Sequence, residues 1–170
     1  MSSRDQRRIH RHSADALEAF AQALFVAAGL EPEKAASVAR LLVLTDKMGR
    51  LTHGLAQAPA YLEQLGNGGM AKTGMPEVIR DTGATIVWRG SYLPGLWLMD
   101  EAIRLALSRV ADEGVVTFAM GESHHIGCLA ALATAAADRG CFVMLASSGP
   151  HTKIVAPHGG REGLLSPNPF

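Results

Sequence analysis

Apolar residues recur every three to four positions through the first part of the chain, and the period then changes. Leu17, Phe20, Ala21, Leu24, Phe25 and Ala28 fall at i, i+3, i+4, i+7, i+8 and i+11, the spacing of one helix face. Ser13 is placed to cap that helix, Asp15 falls in its first turn and Gly29 lies past its end. Pro32 suits the first turn of a second helix, whose face Val38, Leu41, Leu42 and Thr45 runs to about Met48. Pro59 has no amide hydrogen and marks the start of a third helix, which carries Tyr61, Leu62 and Leu65 as far as Gly66. From Met75 the pattern shortens to two strands, about 77–81 and 84–89, joined across Thr82 and Gly83. Residues 95–113 return to helix, with Leu98, Ala102, Leu105 and Val110 on one side and Gly114 as terminator. VVTFAM then reads as a short buried strand, Leu129 to Asp138 as an alanine-rich helix, and CFVMLAS as a second buried strand. Residues 149–170 hold four prolines and four glycines and no regular element beyond about 153–156.

These elements divide into a helical segment, 1–74, and an α/β segment, 75–170. With 48% hydrophobic residues in 170, the chain can bury one real core. Sixteen basic and sixteen acidic residues cancel, which weighs against a nucleic-acid partner. Cys128 and Cys141 lack metal-like spacing and read as packing residues in a reducing, cytoplasmic setting. The basic start, MSSRDQRRIHRHS, leads into an apolar stretch that Glu18 and Gln22 interrupt. It therefore reads as a basic arm, and no run is long enough to span a membrane.

Candidate chemistry concentrates at two junctions. His53 lies between the second and third helices, near orphan helix-terminal groups, a workable setting for proton transfer or simply for a capping histidine. Gln57 falls near a helix N-terminus, which suits an anionic group. GESHHIG (121–127) lies where a strand gives way to a helix, so backbone amides there could meet a phosphate or pyrophosphate. It is no GxGxxG fingerprint, and on extended backbone His124 and His125 cannot both point inward. A zinc site from His124, His125, His151 and His158 has no recognised ligand spacing, so no metal is expected. Cys128 as a nucleophile is disfavoured by its apolar neighbours.

Asp46, Gly49, Thr52, His53 and Gly54, then Pro59 and Tyr61, then Ser123, His125 and Gly127, then Ala156 to Glu162, and finally Asn168 and Pro169 form an ordered set. In order and spacing it resembles the type-2 malate/L-lactate dehydrogenases, which reduce 2-oxo acids or cyclic imines with NADH or NADPH. The resemblance implies a non-Rossmann α/β fold: N-terminal helices followed by a mixed, largely antiparallel sheet with helices. It also implies a homodimer. It assigns His53 as proton donor, with Thr52 beside it and His125 lining the active site. Substrate contacts then fall on Gln57 and Tyr61, and cofactor contacts on His125, Ile126, Gly127, Ser148, Asn168 and Pro169.

Several positions depart from the family pattern. Gln57 stands where the family has a carboxylate-gripping arginine, so a charge-assisted clamp becomes a neutral amide contact. Pro167 replaces the threonine before Asn168, and the usual asparagine of the 147–149 loop is missing. Relatives are about twice as long, and their later half carries a carboxylate that orients the catalytic histidine. On that comparison the chain is an N-terminal half with an incomplete fold, expected to self-associate or to pair with a complementary C-terminal half. Two functions follow: an NAD(P)H-dependent oxidoreductase acting on a 2-oxo acid or imine, or a truncated, inactive relative serving as a binding or dimerisation module.

Overall fold

A computed structural model describes residues 11–149 and 153–170; the arm at 1–10 and His151 lie outside the described residues. The chain opens with α1 (Ala14–Ala27), whose start is capped as its sequence suggests: the Ser13 hydroxyl accepts the Ala16 N–H at 3.3 Å. Its inward face is narrower than the apolar spacing implies. Ala21 and Phe25 are buried against α2 (Pro32–Lys47), whereas Phe20 is 63% exposed and Leu24 lies at the rim. A helix packed on one neighbour covers only the residues facing that neighbour. α2 is covered on more sides, by α1, α4 and α5, and buries Ala35, Val38, Ala39, Leu41, Leu42 and Thr45. Thr45 satisfies its hydroxyl within the helix by donating to the Leu41 carbonyl at 2.7 Å.

Lys34 is also buried, with its ammonium 4.1 Å from the Trp97 ring centre and paired with Glu31. Stacking over the indole and pairing with the carboxylate together offset the desolvation of that charge. α3 (Ala58–Asn67) starts beside Pro59 and runs just past Gly66, because the left-handed residue that closes it is Gly68, φ 81°.

The sheet has three strands in the order β1 (Glu77–Asp81), β2 (Thr85–Arg89), β3 (Thr117–Gly121). β1 and β2 form an antiparallel hairpin, and β3 pairs with β2 in parallel. The parallel step needs a crossover, which α4 (Gly95–Glu113) supplies. Ile86, Trp88 and Ala102 make a small core between sheet and helix, with Phe118 edge-on to Trp88 at 4.6 Å. Arg109 ties α4 back to the hairpin through two hydrogen bonds to Asp81, at 2.6 and 2.7 Å. That guanidinium, with the Gly83 amide, holds the Asp81 carboxyl down at about 2.

Two strand expectations need correction. β3 is only half-buried, because one face is covered by α4 and the other is not. CFVMLAS joins no sheet: Phe142 is 93% and Met144 77% exposed, while Val143 and Leu145 are half-buried. The segment alternates as a strand would, but among the described residues its backbone makes two hydrogen bonds and no ladder: Cys141 N–H donates back to Ala136 O in α5, and Ser147 N–H donates to Pro169 O, each at 3.0 Å. Period-two hydrophobicity without a ladder does not make a strand. α5 (Leu129–Ala137) packs Leu132 against α2 and α4, and the tail contributes one isolated bridge, Val155 with Leu165.

One apolar core joins these parts. It takes Phe25, Leu42, Tyr61 and Leu65 from the helices and Leu93, Leu96, Trp97, Leu98 and Leu132 from the later elements. Leu42→Ala is expected to cost about 2–5 kcal/mol in urea unfolding, since its fully buried methyls leave a cavity among three helices. Phe20→Ala should change stability by less than about 1 kcal/mol.

Candidate active site

The loop that carries His53 is fastened to the end of α2. Gly49 turns the chain with φ 74°, and the His53 amide donates to Arg50 O at 2.9 Å. Two short 3₁₀ turns follow, Leu51–His53 and Leu55–Gln57. Between them Gly54 is buried so closely against Asp46 that a Cβ there would meet the carboxylate. The same carboxylate accepts the Leu55 N–H at 3.0 Å. Asp46 thus clamps the backbone on the far side of His53. On the near side Thr52 Oγ1 and His53 Nδ1 are hydrogen-bonded at 3.0 Å, which leaves Nε2 as the ring atom open to a ligand. Gln57 occupies the N-cap position of α3 but caps nothing with its side chain; its Nε2 donates to Thr52 O at 2.6 Å.

A second wall comes from the connection between β3 and α5. Gly90 N–H donates to Gly121 O and Tyr92 N–H to Glu122 O, both at 2.7 Å, and His124 N–H donates to Leu93 O at 3.1 Å. These bonds carry the β2–β3 pairing past the sheet and into α4. Ser91, Tyr92 and Glu122 take left-handed backbone to do so, with φ of 51°, 56° and 52°. Residues 123–128 belong to no strand, so the two histidines are not held to strand alternation. Both rings instead lie on Tyr61, His124 edge-on at 5.6 Å and His125 at 6.0 Å between centres.

Tyr61 reaches from α3 to this wall. Its hydroxyl and His125 Nδ1 are 2.7 Å apart, and the His53 and His125 ring centres are 5.8 Å apart. Burial pushes the Tyr61 phenol far above its ordinary value, so it stays protonated. Burial lowers both His124 and His125, and for His125 the neighbouring His53 and His124 add to the effect. His124 Nδ1 is buried with no hydrogen-bond partner among the described residues.

Thr52, His53, Gln57, Tyr61 and His125 therefore form one cluster. Ile126 and Ser148 lie elsewhere, in a groove of about 350 Å³ between α4, β3 and residues 143–148. Ser123 and Ser147 add hydroxyls to it, and Met99, Phe118 and Met120 give it apolar walls. Pro169 touches this groove's rim through Ser147, and Asn168 is exposed beside it. Gly127, φ 71°, makes room for the Leu96 side chain. Motif order marks Asp46 and Ser123, and the junction marks His124, but their roles as backbone clamp, groove hydroxyl and ring on Tyr61 are not legible. Each depends on a contact that the fold makes, and none has a periodic signature. Cys128 and Cys141 are half-buried free thiols. Among the described residues no three His, Cys, Asp or Glu side chains converge as a metal site, and His158 is exposed.

Asp46→Ala removes a carboxylate that holds a backbone amide, and should cost about 1–3 kcal/mol in urea unfolding. A pH effect follows from the two lowered histidines. Below their ordinary 6.5 the unfolded chain takes up protons that the folded chain resists, so stability falls as pH drops through that value. Comparing unfolding midpoints of wild type and His124→Gln between about pH 7.5 and pH 5.5 should show a shallower decline in the variant.

Across residues 12–170 the chain matches the family described as malate/L-lactate dehydrogenase. Hydroxycarboxylate dehydrogenase B of Escherichia coli (strain K12) is 29% identical over 161 residues, which cover 95% of this chain and 45% of that protein. A delta(1)-pyrroline-2-carboxylate/delta(1)-piperideine-2-carboxylate reductase of Pseudomonas syringae pv. tomato is 31% identical over 151 residues, covering 86% and 42%. The malate dehydrogenase structure from Pyrococcus horikoshii OT3 superposes with a TM-score of 0.79 at 26% identity, over 89% of this chain and 43% of that one. The chain spans under half the length of these relatives. The mixed α/β fold, with five helices and a three-stranded mixed sheet among the described residues, agrees with the architecture that the sequence motifs imply. By the match over nearly its whole length, the chain belongs to the malate/L-lactate dehydrogenase family.

Proposed function

We propose that this chain forms the acid-bearing part of an NAD(P)H-dependent oxidoreductase that reduces a 2-oxo acid or a related cyclic imine. The observation that carries the reading is the cluster itself: His53, held by Thr52 and backed by the Asp46 clamp, stands 5.8 Å from His125 with its Nε2 open. When bound, the reduced nicotinamide would supply the hydride. His53, protonated, gives its Nε2 proton to the substrate oxygen or nitrogen as negative charge gathers there, and is left neutral. The Thr52 hydroxyl can accept from His53 Nδ1–H and so steadies the imidazolium before transfer. Gln57, its amide tied to Thr52 O, and Tyr61 bound the substrate side.

The residues present fit a dinucleotide. The 350 Å³ groove offers flat apolar walls for a ring and serine hydroxyls for a ribose or amide, and it adjoins His125 through Ile126. The first-turn amides of α5 have no side-chain cap, which suits a phosphate there. Ile126, Gly127, Ser148, Asn168 and Pro169 would hold that group, with segment 1–74 bringing the acid and 75–170 the cofactor side. Either NAD(H) or NADP(H) is compatible with this wall. No described helix is long and apolar enough to cross a membrane. The reading further assigns a homodimer, or association with a complementary half, in the cytoplasm, a setting supported by the two free thiols.

A second reading is favoured by Gln57. The amide tied to Thr52 offers no full charge to a carboxylate, as a relative that binds cofactor without turnover would allow. The experiment is oxidation of NADH and NADPH with a panel of 2-oxo acids and cyclic imines. His53→Ala is expected to lower kcat by roughly a hundredfold to ten-thousandfold. Turnover that His53→Ala leaves unchanged would overturn the acid assignment, and cofactor binding without turnover on any substrate would favour the binding module.

A further inference from the structure

We propose that Tyr61 is a positioning residue that fixes His125 as its Nε2–H tautomer, so that this histidine presents a hydrogen-bond donor to the substrate. The argument begins with the geometry of one bond. The Tyr61 hydroxyl lies 2.7 Å from His125 Nδ1, and the tyrosine is only 3% exposed. A phenol carries one proton, and among the described residues His125 is its one hydrogen-bond partner. If Nδ1 carried the ring proton and donated to the phenol oxygen, the phenol proton would be left without an acceptor in a buried place, which is costly. The phenol therefore donates, Nδ1 accepts, and the ring proton of neutral His125 sits on Nε2.

The surroundings act in the same direction. His53 from the 3₁₀ turn and His124 from the same connection both face His125, and a charge on either disfavours a second charge on it. Tyr61 is neutral because of its burial. His125 thus works as a neutral donor beside an acid, not as a second acid. That demand names the substrate group. The atom facing His125 must be an acceptor, such as a carbonyl or carboxylate oxygen, and an analogue with a donor-only N–H at that place would leave two donors opposed. This consequence for the substrate rests on the reductase reading, whereas the tautomer does not.

The test is nuclear magnetic resonance of the wild-type chain with isotope-labelled histidine nitrogens at neutral pH, its signals assigned with His124→Gln and His125→Gln. The expected result is His125 almost wholly as Nε2–H. In Tyr61→Phe, which keeps the ring and removes only the donor, the ratio of Nε2–H to Nδ1–H should fall by about an order of magnitude. An Nδ1–H or evenly mixed His125 in the wild type would overturn the proposal, as would a ratio that Tyr61→Phe does not move. The wild-type measurement decides the matter even where a variant fails to fold. A locked His125 in a protein that never oxidises NADH or NADPH would sink only the reductase reading, and an unlocked His125 in an active one would sink only this inference.

Discussion

The close approach of the first turn of α4 to the backbone of residues 122–127 fixes where everything else in the site can stand. Gly95 has no Cβ because one would run into the carbonyl oxygens of His124 and His125. Gly90 is less tight, with a Cβ placed 3.1 Å from Glu122 O, and Gly127 packs against the Leu96 side chain. Glycine is the one residue that permits main chains to meet at this distance. The turn is anchored by Leu96, Trp97 and Leu98, all fully buried in the main core, so the histidine wall is set by packing. Left-handed backbone at three non-glycine residues is the strain this approach costs, and the surrounding hydrogen bonds hold it in place.

From the opposite side the His53 loop is held by a different device, the Asp46 carboxylate. The two walls meet through Tyr61, whose ring belongs to the core and whose hydroxyl belongs to the site. Two imidazoles whose ring centres lie 5.8 Å apart do not readily carry charge together. Whichever of them is the acid, the other is best neutral. The loop histidine binds a hydroxyl that can accept from imidazolium, whereas the wall histidine sits against a phenol that donates. On the proposed reading, that asymmetry favours His53 over His125 as the acid.

The helices were legible in the sequence because their signals are local: the Ser13 cap, Pro32, Pro59 and the residues 95–113 all stand as read, give or take a turn at Gly66. The hairpin was legible for the same reason. What could not be read is what a neighbour decides. Phe20 matches the periodicity of α1 and faces outward, and CFVMLAS alternates correctly without a strand to pair with. At the site, the motif residues Thr52, His53 and His125 were visible as types in order. Their meeting was not, because it depends on a bond between Tyr61 and a residue 64 positions later.

The two sides of the site differ in how firmly they are built. The His53 side rests on buried side chains, Tyr61 and Leu65 from α3 and Leu42 from α2, and on the Asp46 clamp. The groove side is closed by residues 143–148, whose one backbone bond among the described residues joins Ser147 to Pro169. Phe142, Met144, Leu164, Leu165 and Phe170 leave apolar surface exposed around it. Burying an aromatic ring of that size is worth about 1.5–3 kcal/mol, so any partner or ligand that covers this side gains from the contact and gives part of it back in ordering the segment. On the proposed reading, a firmly packed His53 side facing a lightly held groove couples ligand binding to ordering of that groove.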